Sequence, residues 1–267
     1  MLSFEPQRTA YDLHFQLAGI PVRVHPLFWL AALILGTSGS WDAAGQVDPE
    51  AGMRLLIWTG VLFVSILVHE LGHSLVIRYF GQTPRIVLYM LGGLAITDEG
   101  SGFGYRAAAR RTPQQQILIC LAGPAAGFVL ATATVALLIL LGGRFQFDLA
   151  DFPFFYKFQP PPNAARPLVI MIHGLLFLNI FWGLVNLLPV LPLDGGQVAR
   201  ELFEMSDHRN GLVHCLWLSV ITGAAVAVAS WVLLHSVFMA LLFASLAASN
   251  YMTLQQISAG GTGGRPW

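Results

Sequence analysis

Long apolar segments dominate this chain of 267 residues, and one of them contains three ionisable side chains within about one helical turn. Residues 53–79 form a nearly unbroken apolar run, interrupted near its end by His69, Glu70 and His73. Ionisable groups are costly inside a membrane segment and usually mark a functional site there. The chain is 55% hydrophobic and only 10% charged, whereas soluble proteins carry about a quarter charged residues. The sequence therefore predicts a polytopic membrane protein.

The number of crossings follows from the lengths of the apolar runs. A helix needs about 20 mainly apolar residues to span a bilayer. The last run, residues 211–251, is long enough for two helices with a break near residues 230–231. The first run is short, but its lead-in from residue 20 extends it. We expect an all-α polytopic membrane protein with one domain over residues 1–267. Its six transmembrane helices are predicted at about residues 26–37, 53–79, 116–141, 168–190, 211–229 and 232–251.

The positions of lysine and arginine predict the orientation of these helices. With six crossings, ten of the 14 basic residues fall on the side that holds both termini, and four fall on the other side. Basic residues are enriched in cytoplasmic loops. Both termini are therefore predicted to be cytoplasmic, and His69 lies in the inner half of the second span.

The pair His69 and His73 has the spacing of a metal-binding helix. Residues four apart on a helix project from the same face, so both imidazoles can reach one zinc ion. Glu70 lies beside them and can accept a proton from a water molecule at the metal. In the alternative, both histidines bond to neighbouring helices without a metal. Catalytic zinc sites usually have three protein ligands, so another segment has to supply the third.

Asp194 is the best candidate for that third ligand. It follows Pro189 and Pro192 at the predicted cytoplasmic end of the fourth span, the same end as His69. The prolines interrupt the helix, and free backbone groups at this depth are tolerated only where they line a cavity. In the alternative, Asp194 is a solvated residue of a turn.

Three further segments have distinctive patterns. Residues 84–104 combine alternating apolar residues with Gly92-Gly93, which predicts a hairpin or re-entrant segment. Residues 145–166 are rich in aromatic residues and proline, which is typical of an interfacial loop. The tail from residue 258 to 267 is glycine-rich and is predicted to be disordered.

Together, the motifs resemble those of the site-2 protease family of intramembrane zinc metalloproteases. The sequence HELGH at 69–73 matches the family's HExxH, and Asn186, Pro189, Asp194 and Gly195 match its N-x-x-P-x-x-x-x-D-G pattern. The segment AGPAAG at 122–127 resembles its glycine-proline signature, although Gly127 stands where many members have Asn. The resemblance covers residues 20–251 and is strongest to the sporulation-type branch. We expect neither a PDZ nor a CBS domain.

The resemblance implies a three-helix catalytic core at about residues 53–196 with a membrane-associated β-hairpin. It implies one zinc ion per chain, held by His69, His73 and Asp194. Glu70 would act as general base and then as acid. Asn186 would donate a hydrogen bond to the substrate or to the oxyanion. The hairpin edge around Gly92-Gly93 would pair with an unwound substrate strand.

The function that we expect is an intramembrane zinc metalloendopeptidase. It would hydrolyse peptide bonds within or near the transmembrane segments of single-span substrates, in a bacterial cytoplasmic membrane. The zero net charge suggests no nucleic-acid partner. Two alternatives use the same fold: a proteolytically inert membrane adaptor and a zinc-handling protein. The intact Glu70 argues against the first, and ligands clustered at one depth argue against the second. The sequence leaves the substrate and the oligomeric state open.

Overall fold

The computed structural model describes residues 6–37, 50–90, 92–97, 111–148 and 156–260, and these are the described residues below. The helices are α1 (Pro26–Gly36), α2 (Ala51–Tyr79), α3 (Pro113–Leu140), α4 (Arg166–Leu176), α5 (Trp182–Asn186), α6 (Asp194–Ser206), α7 (Gly211–Val232) and α8 (Val237–Gly260). The strands are β1 (Leu13–Leu17), β2 (Ile20–Val24), β3 (Pro84–Tyr89), β4 (Gly92–Thr97), β5 (Arg144–Phe147) and β6 (Tyr156–Gln159).

Five helical segments within the described residues are long and apolar enough to cross a membrane. They are Ala51–Tyr79, Pro113–Leu140, Arg166–Asn186, Gly211–Val232 and Val237–Ser258. These correspond to the second to sixth predicted spans, and the short connection predicted within the last apolar run is present between α7 and α8. Helix α1 has only 11 residues, about half of what a helical crossing requires. The six-helix prediction is thus confirmed for five helices.

A four-stranded sheet is the main departure from the all-α prediction. Its strand order is β1-β2-β3-β4, and β2 and β3 run parallel while the outer pairs are antiparallel. The predicted hairpin is confirmed as β3 and β4; residues 98–104 of the predicted segment lie outside the described residues. Strands β1 and β2 were not predicted, because ten residues of mixed polarity around Ala18-Gly19 give no long apolar signal.

The sheet packs on α2, and the packing explains why these strands form. Ile20, Val22 and Val24 of β2 are buried together with Ile86 and Leu88 of β3. Alternate residues of a strand point to the same face, so each strand contributes one apolar row. Further members of this core are Phe28 and Leu67, with Leu17, Trp29, Phe63, Ile66 and Leu71 against its margin. The core thereby fixes the sheet beside the segment of α2 that carries HELGH.

The aromatic segment between α3 and α4 also contains strands. Where an irregular interfacial loop was expected, β5 and β6 pair in antiparallel register, with Arg144 opposite Gln159 and Phe147 opposite Tyr156. Tyr156 is buried with Leu138, Ile172 and Leu176. Residues 149–155 of this segment, and the tail from residue 261, lie outside the described residues.

The fourth apolar segment is helical but irregular. A π-helical turn at Phe177–Phe181 joins α4 to α5. The helix ends at Asn186, and α6 begins at Asp194 after a non-helical segment, residues 187–193. This break is where the sequence predicted it, at Pro189 and Pro192. We call residues 187–193 the ligand loop.

The chain divides into two compact units, each with its own part of the predicted site. The first unit consists of Met1–Arg110 and Ala122–Gly183, and it contains both sheets, α1, α2 and α4. The second consists of Arg111–Leu121 and Leu184–Trp267, and it contains the ligand loop, α6, α7 and α8. His69, Glu70 and His73 belong to the first unit. Asn186 and Asp194 belong to the second.

Candidate metal centre

The two histidines of α2 present the same ring nitrogen to each other. Nε2 of His69 lies 3.0 Å from Nε2 of His73. Their ring centroids are 4.7 Å apart, and the rings are nearly perpendicular at 80°. Two nitrogens bound tetrahedrally to one zinc ion at about 2.1 Å are roughly 3.4 Å apart. The regular helix thus brings the two nitrogens close to the separation that a shared zinc ion requires.

Helix α3 leaves room for these nitrogens because it carries Gly123 beside them. A Cβ atom at Gly123 would overlap Nε2 of His73 and would lie 2.8 Å from Nε2 of His69. The two helices approach closely just next to this point. A Cβ at Gly72 would overlap the carbonyl oxygen of Ala122 and lie 2.8 Å from Cβ of Ala126. Small residues on both helices therefore form a cradle that a single methyl group would fill.

Glu70 is buried under the backbone of β4, with only 6% of its surface exposed. A Cβ atom at Gly93 would lie 2.5 Å from Cδ and 2.6 Å from Oε1 of Glu70. The predicted hairpin therefore lies directly against the predicted base. Glycine is needed at this position because any side chain would displace the carboxylate.

A buried amide contacts α2 at Ser65, one helical turn before His69. Asn179, in the π-helical turn, donates from Nδ2 to Oγ of Ser65 at 2.9 Å and to the carbonyl oxygen of Leu175 at 2.8 Å. Asn179 and Ser65 are 3% and 6% exposed. Oδ1 of Asn179 faces Gly127, where a Cβ would lie 3.3 Å away. The amide that faces Gly127 therefore comes from a neighbouring helical segment, and α3 has no amide side chain at this position.

In the second unit, Asp194 is the first residue of α6 and is half-buried. The two residues that follow are packed without free space. A Cβ at Gly195 would overlap the carbonyl oxygen of Leu187, and a Cβ at Gly196 would lie 2.5 Å from the nitrogen of Leu191. The ligand loop therefore folds back over the first turn of α6, which is why two glycines follow the aspartate.

The residues present fit a zinc ion. The first unit supplies the two imidazoles of His69 and His73, and the second unit supplies the half-buried carboxylate of Asp194. Two imidazoles and one carboxylate are a ligand set of catalytic zinc sites, which keep one position open for water or substrate. The cradle at Gly123 provides the space beside the two nitrogens.

The sequence also matches a known protein family. The sequence pattern of Peptidase family M50 matches residues 58–230, which is well over half of the chain. The chain belongs to peptidase family M50.

Several relatives of this chain are named zinc metalloproteases. "Putative zinc metalloprotease sll0528" of Synechocystis sp. is 32% identical over 200 residues, which cover 73% of this chain and 45% of that protein. "Zinc metalloprotease MJ0392" of Methanocaldococcus jannaschii is 26% identical over 192 residues, covering 71% and 44%. "Putative zinc metalloprotease Rip2" of Mycolicibacterium smegmatis is 29% identical over 198 residues, covering 65% and 69%. The alignments span less than half the length of the first two relatives.

A solved structure shows the same fold. The chain matches "Site-2 Protease from Methanocaldococcus jannaschii" with a TM-score of 0.51 and 21% identity. The match covers 91% of this chain and 95% of that one. The fold of that protein is therefore present over nearly the whole chain.

The remaining predicted residue of this M50 chain is Asn186, the last residue of α5. Its side chain is half-buried. Its predicted hydrogen bond to the substrate or oxyanion stays a prediction.

Sequence reasoning missed several buried polar residues, Ser65 in the first unit and Ser219 and Asn250 in the second among them. The signal was available, because polar side chains in apolar spans usually have a specific partner. The sequence did not identify the bonding partner of Asn179, because Ser65 is 114 positions away.

Proposed function

We propose that this chain is an intramembrane zinc metalloendopeptidase that hydrolyses peptide bonds within or near transmembrane segments of single-span substrates. The observation that carries the proposal is the convergence of the Nε2 atoms of His69 and His73 beside Gly123, with the buried carboxylate of Glu70 on the same helix. One zinc ion would be held by His69, His73 and Asp194. The zinc metalloprotease names of the relatives support the proposal.

The chemistry divides between the metal and the chain. When bound, zinc lowers the pKa of a water ligand and polarises a carbonyl group. The carboxylate of Glu70 takes a proton from the attacking water and delivers it to the nitrogen of the leaving amine. The amide of Asn186 donates a hydrogen bond to the substrate carbonyl oxygen. Burial of Glu70 beneath Gly93 keeps bulk water from its carboxylate.

The substrate has to unwind before it can react, because a helix hides its carbonyl groups in its own hydrogen bonds. Strand β4 is an edge of the sheet. Edge strands present backbone groups that can pair with an extended segment. Since Gly93 of β4 touches Glu70, a strand paired to β4 is delivered beside the base.

The remaining crossing, which is the first in the chain, consists in this proposal of β2 followed by α1. The five residues of β2 extend roughly 16 Å and the 11 residues of α1 roughly another 16 Å, against a hydrocarbon thickness of about 30 Å. Strand β2 is paired on both edges, as non-helical backbone at membrane depth requires. Both termini and the active-site end then face the cytoplasm of a bacterial cell.

The test is a cleavage assay with the purified chain reconstituted in vesicles with single-span proteins. We expect cleavage that stops on chelation, returns with zinc, and is strongly slowed in Glu70→Gln. A Glu70→Gln chain that cleaves at the wild-type rate would refute the mechanism. A chain that binds zinc tightly but cleaves none of a broad substrate set would favour the adaptor alternative.

A further inference from the structure

The ligand loop has one residue whose two backbone groups are both bound by side chains. The N–H of Leu191 donates to Oγ of Ser219 on α7 at 3.1 Å. The carbonyl oxygen of Leu191 accepts from Nδ2 of Asn250 on α8 at 2.8 Å. All three residues are buried: Ser219 is 0% exposed, Leu191 4% and Asn250 6%. Side chains of α7 and α8 therefore form hydrogen bonds with the N–H group and the carbonyl group of the same residue.

These contacts replace the hydrogen bonds that a helix would have supplied. Between Asn186 and Asp194 the chain is not helical, and an unpaired buried backbone group costs about 1–3 kcal/mol. Within a membrane no solvent is available to compensate for the loss. The hydroxyl of Ser219 also lies 3.5 Å from the carbonyl oxygen of Pro189, to which it donates. Ser219 thus satisfies two groups of the ligand loop.

Helix α7 contacts the chain on the other side of Asp194 as well. Sγ of Cys215, one turn before Ser219, donates to the carbonyl oxygen of Gly196 at 3.6 Å. Cys215 therefore contacts Gly196, which follows Asp194, and Ser219 contacts the ligand loop that precedes it. Gly195 and Gly196 have no space for a methyl group, so the first turn of α6 cannot shift without moving these contacts.

Helices α7 and α8 carry none of the residues proposed to bind zinc or move protons. We propose that Ser219 and Asn250 are positioning residues that hold Asp194 in place as a zinc ligand. The inference rests on the proposed function, because it takes Asp194 to be a ligand. A regular helix places His69 and His73 without help, whereas Asp194 follows a broken helix and depends on these two side chains.

The test compares zinc affinity and kinetics of single variants of the full chain. Ser219→Ala removes the acceptor for Leu191 N–H, and Asn250→Leu removes the donor to its carbonyl. We expect each to weaken zinc binding about 10- to 100-fold in competition with a chelator, as loss of an outer-shell partner typically does. We expect kcat to fall with KM little changed. Ser219→Thr, which keeps the hydroxyl, restores both values.

Ser230→Ala is the matched control. Ser230 lies on the same helix and is 2% exposed, and its backbone carbonyl rather than its hydroxyl accepts the bond from Ser236. We expect its zinc affinity to equal that of the wild type.

A purely structural role predicts a lower unfolding temperature for Ser219→Ala and Asn250→Leu with wild-type zinc affinity and kcat, and that result overturns the inference. If one of the two variants does not fold, the other decides. If the wild type binds zinc and cleaves, and both variants have the same zinc affinity and kcat as the wild type, the inference is refuted and the proposed function stands. A wild-type chain without zinc refutes the proposed function and the inference together.

Discussion

The two parts of the predicted zinc site are built in opposite ways. His69 and His73 lie in the C-terminal half of a regular 29-residue helix, and their four-residue spacing places both side chains on the same helix face. Asp194 lies at the start of α6, after seven residues without helical structure. Its backbone surroundings are held by Ser219, Asn250 and Cys215. We call these the histidine part and the aspartate part.

The difference teaches where polar side chains are needed. The histidine part satisfies its own backbone, so its buried amide, Asn179, is free to join α2 to the neighbouring helix through Ser65. In the aspartate part the buried amide, Asn250, bonds the backbone of the ligand loop. The same residue type therefore joins helices in one part and replaces helical hydrogen bonds in the other.

The largest expected effect isolates proton transfer from metal binding. Glu70→Gln keeps the shape of the side chain but removes its basicity. We expect cleavage to slow about 10²- to 10⁴-fold, the range of general acid–base catalysis, while zinc content stays at one per chain. Glu204→Gln on α6, whose carboxylate pairs with Arg200 at 2.7 Å on the protein surface, is the control and should cleave normally. Zinc loss in Glu70→Gln would contradict the division of roles.

The next effect tests whether the histidine part depends on empty space rather than on bonds. A methyl group in Gly123→Ala would overlap Nε2 of His73, so we expect zinc affinity to fall by about 100-fold. Gly127→Ala, one turn along α3, places its methyl at 3.3 Å from Oδ1 of Asn179. This variant should change zinc affinity only slightly. Gly60→Ala has no atom within 4 Å of the new methyl and should leave affinity unchanged. Equal affinities for all three variants would refute the cradle.

A third prediction separates the two buried amides. Asn179→Ala and Ser65→Ala should each reduce the free energy of unfolding by about 1–3 kcal/mol, because each leaves a buried polar group without its partner. Their effects should not add, since they remove the same bond. Zinc affinity should change less than in Ser219→Ala, because the helix itself sets the spacing of the histidines. A larger zinc loss in Asn179→Ala than in Asn250→Leu would invert the comparison.

The smallest effect concerns the turn between α6 and α7 in the aspartate part. Hydrogen bonds from the backbone N–H groups of Asn210 and Arg209, and from the side chain of Asn210, lower the pKa of Asp207 below its usual value. The pKa is lower in the folded state, so this stabilisation is present above the unfolded pKa of about 3.9 and is lost as the pH falls through the folded value. Asp207→Ala should have a slightly lower unfolding temperature than the wild type near neutral pH. As the pH falls below 4, its unfolding temperature should decrease less than that of the wild type. An identical decrease in both proteins would contradict this role.

Much of the histidine part was predictable from the sequence because its geometry is local. Helical periodicity relates His69, Glu70 and His73, and the apolar run around them places all three in one span. The break at Pro189 and Pro192 was predictable for the same reason, since proline acts on its own helix. The hairpin beside Glu70 followed from alternation and Gly92-Gly93.

Several features that the sequence did not predict depend on pairs of residues that are far apart in the chain. Strand β2 is parallel to β3, more than 60 positions away, and no short pattern encodes such a pairing. Asn250 is 59 positions from its acceptor, Leu191. The short helix α1 and the strand before it were expected to form one helix, because an apolar run alone does not distinguish a helix from a buried strand.

The most direct test of the central claim is the zinc content of purified variants, measured per folded chain. We predict one zinc ion in the wild type and in Glu70→Gln, and none retained through purification in His69→Ala, His73→Ala or Asp194→Ala. Asp194→Ala is the decisive variant, because the claim is that a broken helix supplies the third ligand to a pair placed by a regular one. An Asp194→Ala chain that holds one zinc ion with wild-type affinity would contradict it.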